Sequence, residues 1–578
     1  MTDALPSPQW QPAPGAAVRR AATVVVLREA DAGMQVLLMR RNARAGDIHS
    51  GACVFPGGLV DAADRDAHHL CTGLDDAQAS ARLGLPEGGL DCFVAAMREC
   101  LEEAGLLFAT LAASAAESAV HGGAEGADPA PTMLADINAL RPALNRGELS
   151  LAALCERFGL RLAAGRLAHF SHWLTPPGVP KRYDTHFFVA EAPALQVASH
   201  DDGETVARLW ITPAEALAQA HALKLVLPTQ RTLQTLLALG NIAAVMAHAR
   251  GLKQVPCWMP HIGTGGKGIR PVAPDEPAWA ELGRLDPEGH GTASYELAPG
   301  PAVRLSPRLI RVTAPNGSMM TGPGTNTYLL GGGANNEWAV IDPGPSMDEH
   351  VQAILDGAPG PIRWIFVTHT HKDHSPAAVA LKVHTGAQLL GMAPLHTEWQ
   401  DATFAPDVAL HGGEVLQLPA DTTLRVIHTP GHAGNHLCYL LEQERMLFTG
   451  DHVMQGSTVV INPPDGDMGA YLHSLNELKT LPLDWLAPGH GFLMAEPAAA
   501  MQRIVDHRLK REAKVLAAVP AGNGVAMDDL LAVVYADVPP HLHTMARRSL
   551  LAHLLKLRAE RRVVEHADGN WALGRQGA

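Results

Sequence analysis

The densest group of potential metal ligands in this chain is the stretch 368–374 (Thr-His-Thr-His-Lys-Asp-His), which places three imidazoles and a carboxylate within seven residues. It follows residues 362–367 (Ile-Arg-Trp-Ile-Phe-Val), an apolar run that predicts a buried strand. Side chains on the loop that follows such a strand can point towards two adjacent metal-binding positions. Neutral imidazole and carboxylate suit zinc and similar first-row ions. The motif therefore predicts two metal ions about 3.5–4 Å apart that ionise a water held between them.

Further ligands for such a site follow in order along the chain. His432 ends the turn His-Thr-Pro-Gly-His, Asp451 ends the run Leu-Phe-Thr-Gly-Asp, and His490 lies in Pro-Gly-His-Gly. Upstream, Asp342 ends the apolar run Ala-Val-Ile and could orient a ligand by a hydrogen bond. Because every motif lies at a strand end or a Gly/Pro turn, the pattern favours one assembled site over histidines scattered on the surface.

A second set of carboxylates lies near the amino terminus. Glu99, Glu102 and Glu103 have the i, i+3, i+4 spacing that places side chains on one face of a helix. Three adjacent carboxylates repel one another unless cations lie among them, and oxygen ligands favour Mg²⁺ or Mn²⁺. Such ions bind a diphosphate and present a water to it. The glycine pair Gly57-Gly58, predicted as a tight turn, precedes this helix.

The five C-terminal motifs, in this order, resemble the metallo-β-lactamase superfamily. The resemblance implies an αββα sandwich and a dinuclear centre in which Asp373 is also a catalytic residue. The metals would be two zinc ions, or iron or manganese. Carried over by motif, the ligands of one ion are His369, His371 and His432, those of the other are Asp373, His374 and His490, and Asp451 bridges the two.

The N-terminal motif resembles the Nudix box, which implies an α/β/α Nudix sandwich with Mg or Mn held by Glu99, Glu102 and Glu103, Glu99 being catalytic. One departure is Asp64, which stands where the box normally has a glutamate. Another is an insertion at about residues 65–95, which is similar to that of the coenzyme A diphosphatase branch. A helical segment is expected at about residues 109–165.

These motifs must be carried by several domains, since 578 residues exceed the size of a single core. We predict a Nudix domain at 18–262, a Gly/Pro-rich linker at 263–300 and a metallo-β-lactamase domain at 301–500. Residues 501–578 predict three helices and a two-stranded wing, which is a winged-helix pattern. Together with the motif His-Thr-Pro-Gly-His-Ala-Gly-Asn-His, this resembles the β-lactamase-like protein 2 family.

The composition narrows the class of protein. Hydrophobic residues make up 47% and charged residues 18%, as in ordinary globular proteins, and the net charge of −14 argues against general binding to nucleic acid. The sequence shows neither a secretion signal nor an apolar run of about 20 residues, which predicts a cytoplasmic protein that makes no use of a membrane. The seven cysteines form no Cys-x-x-Cys pair and are typical of free thiols.

The predicted function is a bifunctional metallohydrolase. The Nudix half would cleave a nucleoside-diphosphate or coenzyme A-type small molecule, and the second centre would use a metal-bridged hydroxide on a phosphodiester such as single-stranded RNA. One alternative is a coenzyme A-thioester or hydroxyacyl-thioester hydrolase. The other is a nucleic-acid-binding regulator that acts through the winged helix. A homo-oligomer is compatible with all three.

Overall fold

The structure is a computed structural model and describes residues 16–42, 50–112, 126–194, 196–200, 205–456 and 458–574. The chain divides into two compact units. The first contains residues 1–275 and 286–293, and the second contains residues 276–285 and 294–578. The predicted Nudix domain thus falls in the first unit, and the other two predicted domains fall in the second.

The first unit is built on an eight-stranded mixed sheet in the order β10-β7-β8-β1-β2-β3, with β4 paired to β1 and β9 paired to β2. Two further two-stranded pairs, β5–β6 and β11–β12, lie outside it. The strands are β1 (Val18–Arg28), β2 (Gln35–Arg41), β3 (Cys53–Val54), β4 (Gly57–Leu59), β5 (Ala109–Leu111), β6 (Leu160–Leu162), β7 (Ala168–Leu174), β8 (Arg182–Glu191), β9 (Thr205–Ile211), β10 (Cys257–Trp258), β11 (His261–Gly263) and β12 (Arg270–Val272).

Helices cover both faces of this sheet. Val24 and Val26 of β1 pack in one core with Phe93, whereas Val25 and Leu27 pack in a second core with Leu233. Since successive side chains of a strand point to opposite faces, this is the expected burial of a central strand between two helical layers. The α-helices are α1 (Asp76–Leu83), α2 (Gly89–Ala104), α3 (Pro131–Ala139), α4 (Arg141–Asn145), α5 (Leu151–Phe158), α6 (Pro213–Ala218), α7 (Leu227–Leu239) and α8 (Ile242–Gly251), with 3₁₀ turns at Ala62–Leu70 and Ala164–Arg166.

The second unit contains two sheets packed face to face. Tyr328 and Phe366 from one sheet share a core with Tyr439 and Phe448 from the other. The strands of the first sheet are β13 (Ala302–Ser306), β14 (Leu309–Thr313), β15 (Asn326–Gly332), β16 (Glu337–Ile341), β17 (Ile362–Phe366), β18 (Gln388–Gly391) and β19 (Val408–Ala409). Those of the second sheet are β20 (Val415–Leu418), β21 (Thr422–His428), β22 (Leu437–Leu441), β23 (Met446–Gly450), β24 (Trp485–Pro488) and β25 (Met494–Ala495).

Helices pack on the outer faces of both sheets and complete the predicted αββα sandwich. Val351 and Leu381 cover the first sheet, and Leu475 and Met501 cover the second. The helices of this unit are α9 (Trp279–Leu285), α10 (Asp348–Gly357), α11 (Ala377–Thr385), α12 (Met468–Leu478), α13 (Pro497–Ala518), α14 (Met527–Val534) and α15 (His543–Ala559), with 3₁₀ turns at Glu442–Glu444 and Pro540–Leu542. The hairpin β26 (Val563–Glu565) and β27 (Trp571–Leu573) follows, which completes the predicted winged helix.

The segment 263–300, predicted as a Gly/Pro-rich linker, is folded in the structure. Strand β12 and helix α9 lie within it, and it contributes residues to both units. In the first unit the buried Asp286 accepts hydrogen bonds from the backbone N–H groups of His290 (2.9 Å) and Thr292 (3.0 Å). The glycines of the segment 263–300 lie at turns within this folded structure, since Gly268, Gly289 and Gly291 have positive φ.

The two expectations for the Nudix insertion also need correction. Helix α2 begins at Gly89, so part of the expected insertion at 65–95 belongs to the helix that carries the three glutamates. The expected helical segment at 109–165 contains α3, α4 and α5 but begins and ends in the paired strands β5 and β6. Residues 113–125 of that segment lie outside the described residues.

Among the described residues no single helix is long and apolar enough to cross a bilayer. Only α7 and α8 taken together, bent by 111° at their junction, have that length and apolar composition.

Candidate metal centres

The first group of C-terminal ligands consists of three histidines from two loops. His371 Nδ1 lies 3.0 Å from His369 Nε2 and 3.0 Å from His432 Nε2. The loop after β17 supplies His369 and His371, and the turn after β21 supplies His432. His369 and His432 are buried. Three ring nitrogens therefore point towards one position, as expected for imidazoles that share an ion.

The second group consists of Asp373, His374, Asp451 and His490. His490 Nε2 lies 3.3 Å from the carboxylate of Asp373 and 3.2 Å from that of Asp451. His374 Nε2 lies 3.3 Å from Asp451 Oδ1. The strand ends of β17, β23 and β24 position these residues, because each ligand follows one of those strands by a few residues.

Asp451 lies between the two groups. Its Oδ1 faces His374 and His490, whereas its Oδ2 lies 3.7 Å from His432 Nε2 in the first group. The seven residues predicted from the motifs thus come together as three plus four. Asp451 lies near both groups, and its bridging of two ions stays a prediction.

Backbone and carboxylate groups outside the ligand set orient the ligands by hydrogen bonds. Asp342 accepts hydrogen bonds from the Thr368 N–H (2.7 Å) and from His374 Nδ1 (3.0 Å). His432 Nδ1 donates to the carbonyl of Val460 at 2.7 Å. Asp342 has φ of 52°, a left-handed conformation that costs energy for a residue other than glycine and is often found at functional sites.

One orienting residue was missed by the sequence reasoning. Asp465 Oδ2 lies 3.2 Å from His371 Nε2, so it fixes the tautomer that leaves His371 Nδ1 free to face the other histidines. Gln400 donates to both oxygens of Asp465 at 2.9 and 3.0 Å. No local motif distinguishes Asp465, because it reaches the site from a loop that is distant in sequence.

The two groups differ in charge. Burial and the neighbouring histidines, His371 first among them, lower the pKa of His432 to about 4, and burial holds the pKa of His369 well below its usual value. At His490 burial opposes protonation, but Asp451 and Asp373 outweigh it and raise the pKa to about 10. His369 and His432 of the first group are therefore neutral, whereas the second group contains carboxylates that attract positive charge.

This donor set fits divalent metal ions. His374 Nε2 and Asp451 Oδ1 are buried and lie 3.3 Å apart, yet neither makes a well-aligned hydrogen bond among the described residues. Such atoms are costly unless something binds them, and a cation between them satisfies both. The mixture of imidazole and carboxylate suits zinc, iron or manganese.

A cavity of about 700 Å³ opens above these ligands. Its floor contains His371, Asp373, His432, Asp451 and His490. Its walls include several apolar side chains and residues of the winged helix, which are Met319, Met320, Trp399, Met454, Val459, Val460, Arg508, Tyr535, Leu542, Met545 and Arg548.

The N-terminal carboxylates lie on α2, as predicted. Arg98 Nη1 lies between two of them and donates to Glu99 (2.9 Å) and Glu102 (2.8 Å). Glu103 accepts a hydrogen bond from the Gly57 N–H at 3.1 Å. A Cβ at Gly58 would lie 2.3 Å from Glu99 Oε1, so glycine is needed there for close approach. The predicted glycine turn is instead the strand β4, which pairs with β1.

Asp64 takes the place expected for the missing glutamate of the box. Arg98 Nε donates to Asp64 Oδ1 at 2.8 Å, and Arg98 Nη2 donates to Asp64 Oδ2 at 3.2 Å. This bidentate pair fixes the guanidinium that contacts Glu99 and Glu102. The shorter side chain of Asp64 therefore still positions Glu99 and Glu102, because it acts through Arg98.

Comparisons with known proteins agree with this architecture. The sequence model of the NUDT19 Nudix domain matches residues 75–231, that of the metallo-beta-lactamase superfamily matches 320–490, and that of the beta-lactamase associated winged helix domain matches 526–571. An atrochrysone carboxyl ACP thioesterase of Aspergillus chevalieri is 32% identical over 289 residues, which are 47% of this chain and 88% of that protein.

The chain is also similar to a further named protein and to a solved structure. A beta-lactamase-like protein 2 homolog of Drosophila melanogaster is 32% identical over 294 residues, which are 46% of this chain and 94% of that protein. The crystal structure of a beta-lactamase domain protein from Burkholderia ambifaria, 20% identical, covers 48% of this chain and 96% of its own with a TM-score of 0.43.

The fold and the family matches define a multidomain hydrolase. The chain belongs to the metallo-β-lactamase superfamily and carries, in order, a Nudix domain, a metallo-β-lactamase domain and a β-lactamase-associated winged helix. The predicted family, fold class and hydrolase activity are thereby confirmed.

Proposed function

We propose that this protein hydrolyses thioesters at its C-terminal centre and diphosphates at its N-terminal centre. The observation that carries the first part is the convergence of seven ligands in two groups that share Asp451. The naming of a relative as an ACP thioesterase favours a thioester as the bond that is cleaved.

At the C-terminal centre, His369, His371 and His432 would hold one ion, and Asp373, His374 and His490 the other, with Asp451 between them. Bound ions would supply an ionised water at neutral pH and stabilise an oxyanion. Asp342 and Asp465 would keep His374 and His371 in the required tautomers. Asp373 is the most exposed ligand of the second group and faces the cavity, so it would contact the substrate side of the centre.

The residues that line the cavity favour a thioester substrate over an RNA strand. Met319, Met320 and Trp399 give it an apolar wall, which suits an acyl chain. The third helix of the winged helix, α15, is also partly buried in the second unit, since Ala552 packs with Tyr471 and Met501. A helix used in this way is less available for a nucleic-acid groove than a free recognition helix.

At the N-terminal centre, Glu99, Glu102 and Glu103 would hold Mg²⁺ or Mn²⁺ against a diphosphate. Asp64 and Arg98 would position these carboxylates. A coenzyme A thioester would connect the two reactions. Its hydrolysis at the C-terminal centre would release coenzyme A, a thiol that contains the diphosphate cleaved at the N-terminal centre.

Hydrolysis assays on the purified full-length protein test both parts. The substrates are coenzyme A thioesters, carrier-protein thioesters, coenzyme A, nucleoside diphosphate derivatives and single-stranded RNA. We expect His371→Ala to abolish thioester cleavage and leave Mg²⁺-dependent diphosphate cleavage intact. His473→Ala is the matched control, since His473 is an exposed histidine of the same unit.

Other outcomes would redirect the assignment. RNA cleavage that depends on His371, in the absence of thioester turnover, would replace the proposed substrate by a phosphodiester. If the metal-loaded protein turns over none of these compounds but binds nucleic acid, the regulator hypothesis is favoured.

A further inference from the structure

A third group of metal-ligating residues lies in the first unit, on three adjacent strands. Cys257 of β10 is the register partner of His172 on β7, and His172 is the register partner of His186 on β8. Partners in register share a face of the sheet, so these side chains form a row across the three strands. Asp184 precedes His186 by two residues and therefore lies on the same face.

Three side chains of this row, those of His172, Asp184 and His186, already lie together. The His172 Nε2 and Asp184 Oδ1 atoms are hydrogen-bonded, and the rings of His172 and His186 are stacked at 4.2 Å with 16° between their planes. One potential ligand atom from each of His172, Asp184 and His186 lies within 4.8 Å of the other two. This arrangement brings two nitrogens and a carboxylate oxygen to one place.

His186 is not fully satisfied by its neighbours. It is completely buried, and its Nε2 has no hydrogen-bond partner among the described residues. Its Nδ1 lies 3.2 Å from His169 Nε2. A buried imidazole nitrogen without a partner is unfavourable. An ion pair between His172 and Asp184 alone would give His186 Nε2 no binding partner.

The charges around the row are of both signs. Asp184 supplies a carboxylate, and its register partner Arg20 on β1 places a positive charge beside it, so a bound cation needs a further negative ligand. A thiolate at Cys257 would add a second negative charge. Cys257 is exposed, so its side chain can change rotamer without displacing a core residue.

We propose that His172, Asp184 and His186 bind a divalent transition metal and that the Cys257 thiolate completes a tetrahedral site. Two imidazoles, a carboxylate and a thiolate favour zinc over magnesium or calcium. The site uses none of the ligands of the two catalytic centres. Its ligands come from three strands, so its role is to fasten the short edge strand β10 to β7 and β8.

Cobalt substitution in the full-length protein separates this site from the C-terminal centre. That centre has only histidine and aspartate ligands, so a thiolate-to-cobalt charge-transfer band in the near ultraviolet would report a site that includes a cysteine. We expect this band in the wild type and its loss in Cys257→Ser. Cys71→Ser is the matched control, since Cys71 is another free cysteine of the same unit.

Elemental analysis of the zinc-loaded protein provides the second measurement. We expect His186→Ala to contain one ion per chain fewer than the wild type and to keep its thioesterase activity. Asp184→Asn, which is nearly isosteric, gives a second route to the same loss if His186→Ala folds poorly. Equal metal content in the wild type and both variants, together with the absence of a thiolate band, would overturn the proposal.

Discussion

Asp451 is the residue whose two oxygens face different groups of ligands. Together with Asp373 its negative charge outweighs burial and raises the pKa of both His374 and His490. Burial raises the pKa of Asp451, but His490 and His374 outweigh it and hold that pKa well below its usual value. Removing this charge should therefore affect both halves of the centre at once, whereas removing a single histidine should affect one half first.

Asp451→Asn tests this position. The substitution keeps the volume but removes the charge that attracts both ions. We expect thioester hydrolysis to fall by at least about a hundred-fold and the metal content of the C-terminal centre to decrease. Activity and elemental analysis of one preparation measure the two effects. Full activity with an unchanged metal content would exclude Asp451 as a ligand.

Glu102 gives a pH dependence to the first unit. Burial, assisted by Glu99 and opposed by Arg98, raises the pKa of Glu102 to about 7. In chelator-treated protein the folded state thus holds a proton that the unfolded state releases at about pH 4.3. The stability contributed by this proton is complete below the unfolded pKa and is lost as the pH rises through 7.

Glu102→Gln should remove that dependence. Thermal unfolding in chelator should show the wild type losing stability between pH 5 and pH 8 and the variant losing less. Adding Mg²⁺ at pH 8 should stabilise the wild type more than the variant, because a cation replaces the lost proton. Hydrogen exchange of residues 89–104 localises the effect to α2. Identical pH profiles for the two proteins would contradict the assignment.

At the scale of elements, the Nudix centre depends on how closely β4 approaches α2. Gly58 is the register partner of Ala22 on β1, and this pairing holds its backbone against the glutamates of the helix. A side chain there must displace Glu99, whose two carboxylate oxygens lie 2.3 and 2.6 Å from the position that a Cβ would take.

Gly58→Ala should therefore impair the N-terminal reaction selectively. We expect a loss of about 1–3 kcal/mol in stability from overpacking, a large loss of diphosphate cleavage and unchanged thioester hydrolysis. Gly251→Ala is the control, because no atom other than its chain neighbours and its own helix backbone lies within 4 Å of a Cβ there, and its φ is not positive. That control should be neutral or slightly stabilising. Retention of diphosphatase activity in Gly58→Ala would show that Glu99 is dispensable.

The elements explain how much the sequence could predict. The ligands from His369 to His490 were predictable because each follows an apolar strand within a short local motif. Asp465 was not, because only the folded chain brings its loop to His371. The row of Cys257, His172 and His186 was hidden for the same reason, since its members belong to strands that are adjacent only in the sheet.

At the scale of the whole molecule, the segment 263–300 shows the limit of predicting local structure from amino-acid composition alone. Its glycines and prolines predict a linker, yet residues 276–285 belong to the second unit, and Glu281 and Leu282 are buried there. Glu281 accepts two hydrogen bonds from Arg311, at 2.7 and 2.9 Å, and both side chains are buried. Glu281 also accepts from the Leu493 N–H at 2.8 Å. The short helix α9 is thus anchored by the buried Glu281–Arg311 ion pair and also by an ion pair between Arg284 and Glu444.

Glu281→Gln should destabilise the second unit by about 3–5 kcal/mol, because it leaves the Arg311 guanidinium buried without an opposite charge. The double variant Glu281→Met with Arg311→Met should recover part of that loss, since no charge then remains buried. Glu337→Gln is the matched control, because its partner Arg363 is exposed and such a pair contributes about 0–1 kcal/mol. Denaturant unfolding measures the three stabilities, and limited proteolysis shows whether cleavage at residues 276–285 increases in Glu281→Gln. Equal stability of Glu281→Gln and Glu337→Gln would mean that α9 is not anchored by this pair, and the segment would then behave as the connection that its composition predicts.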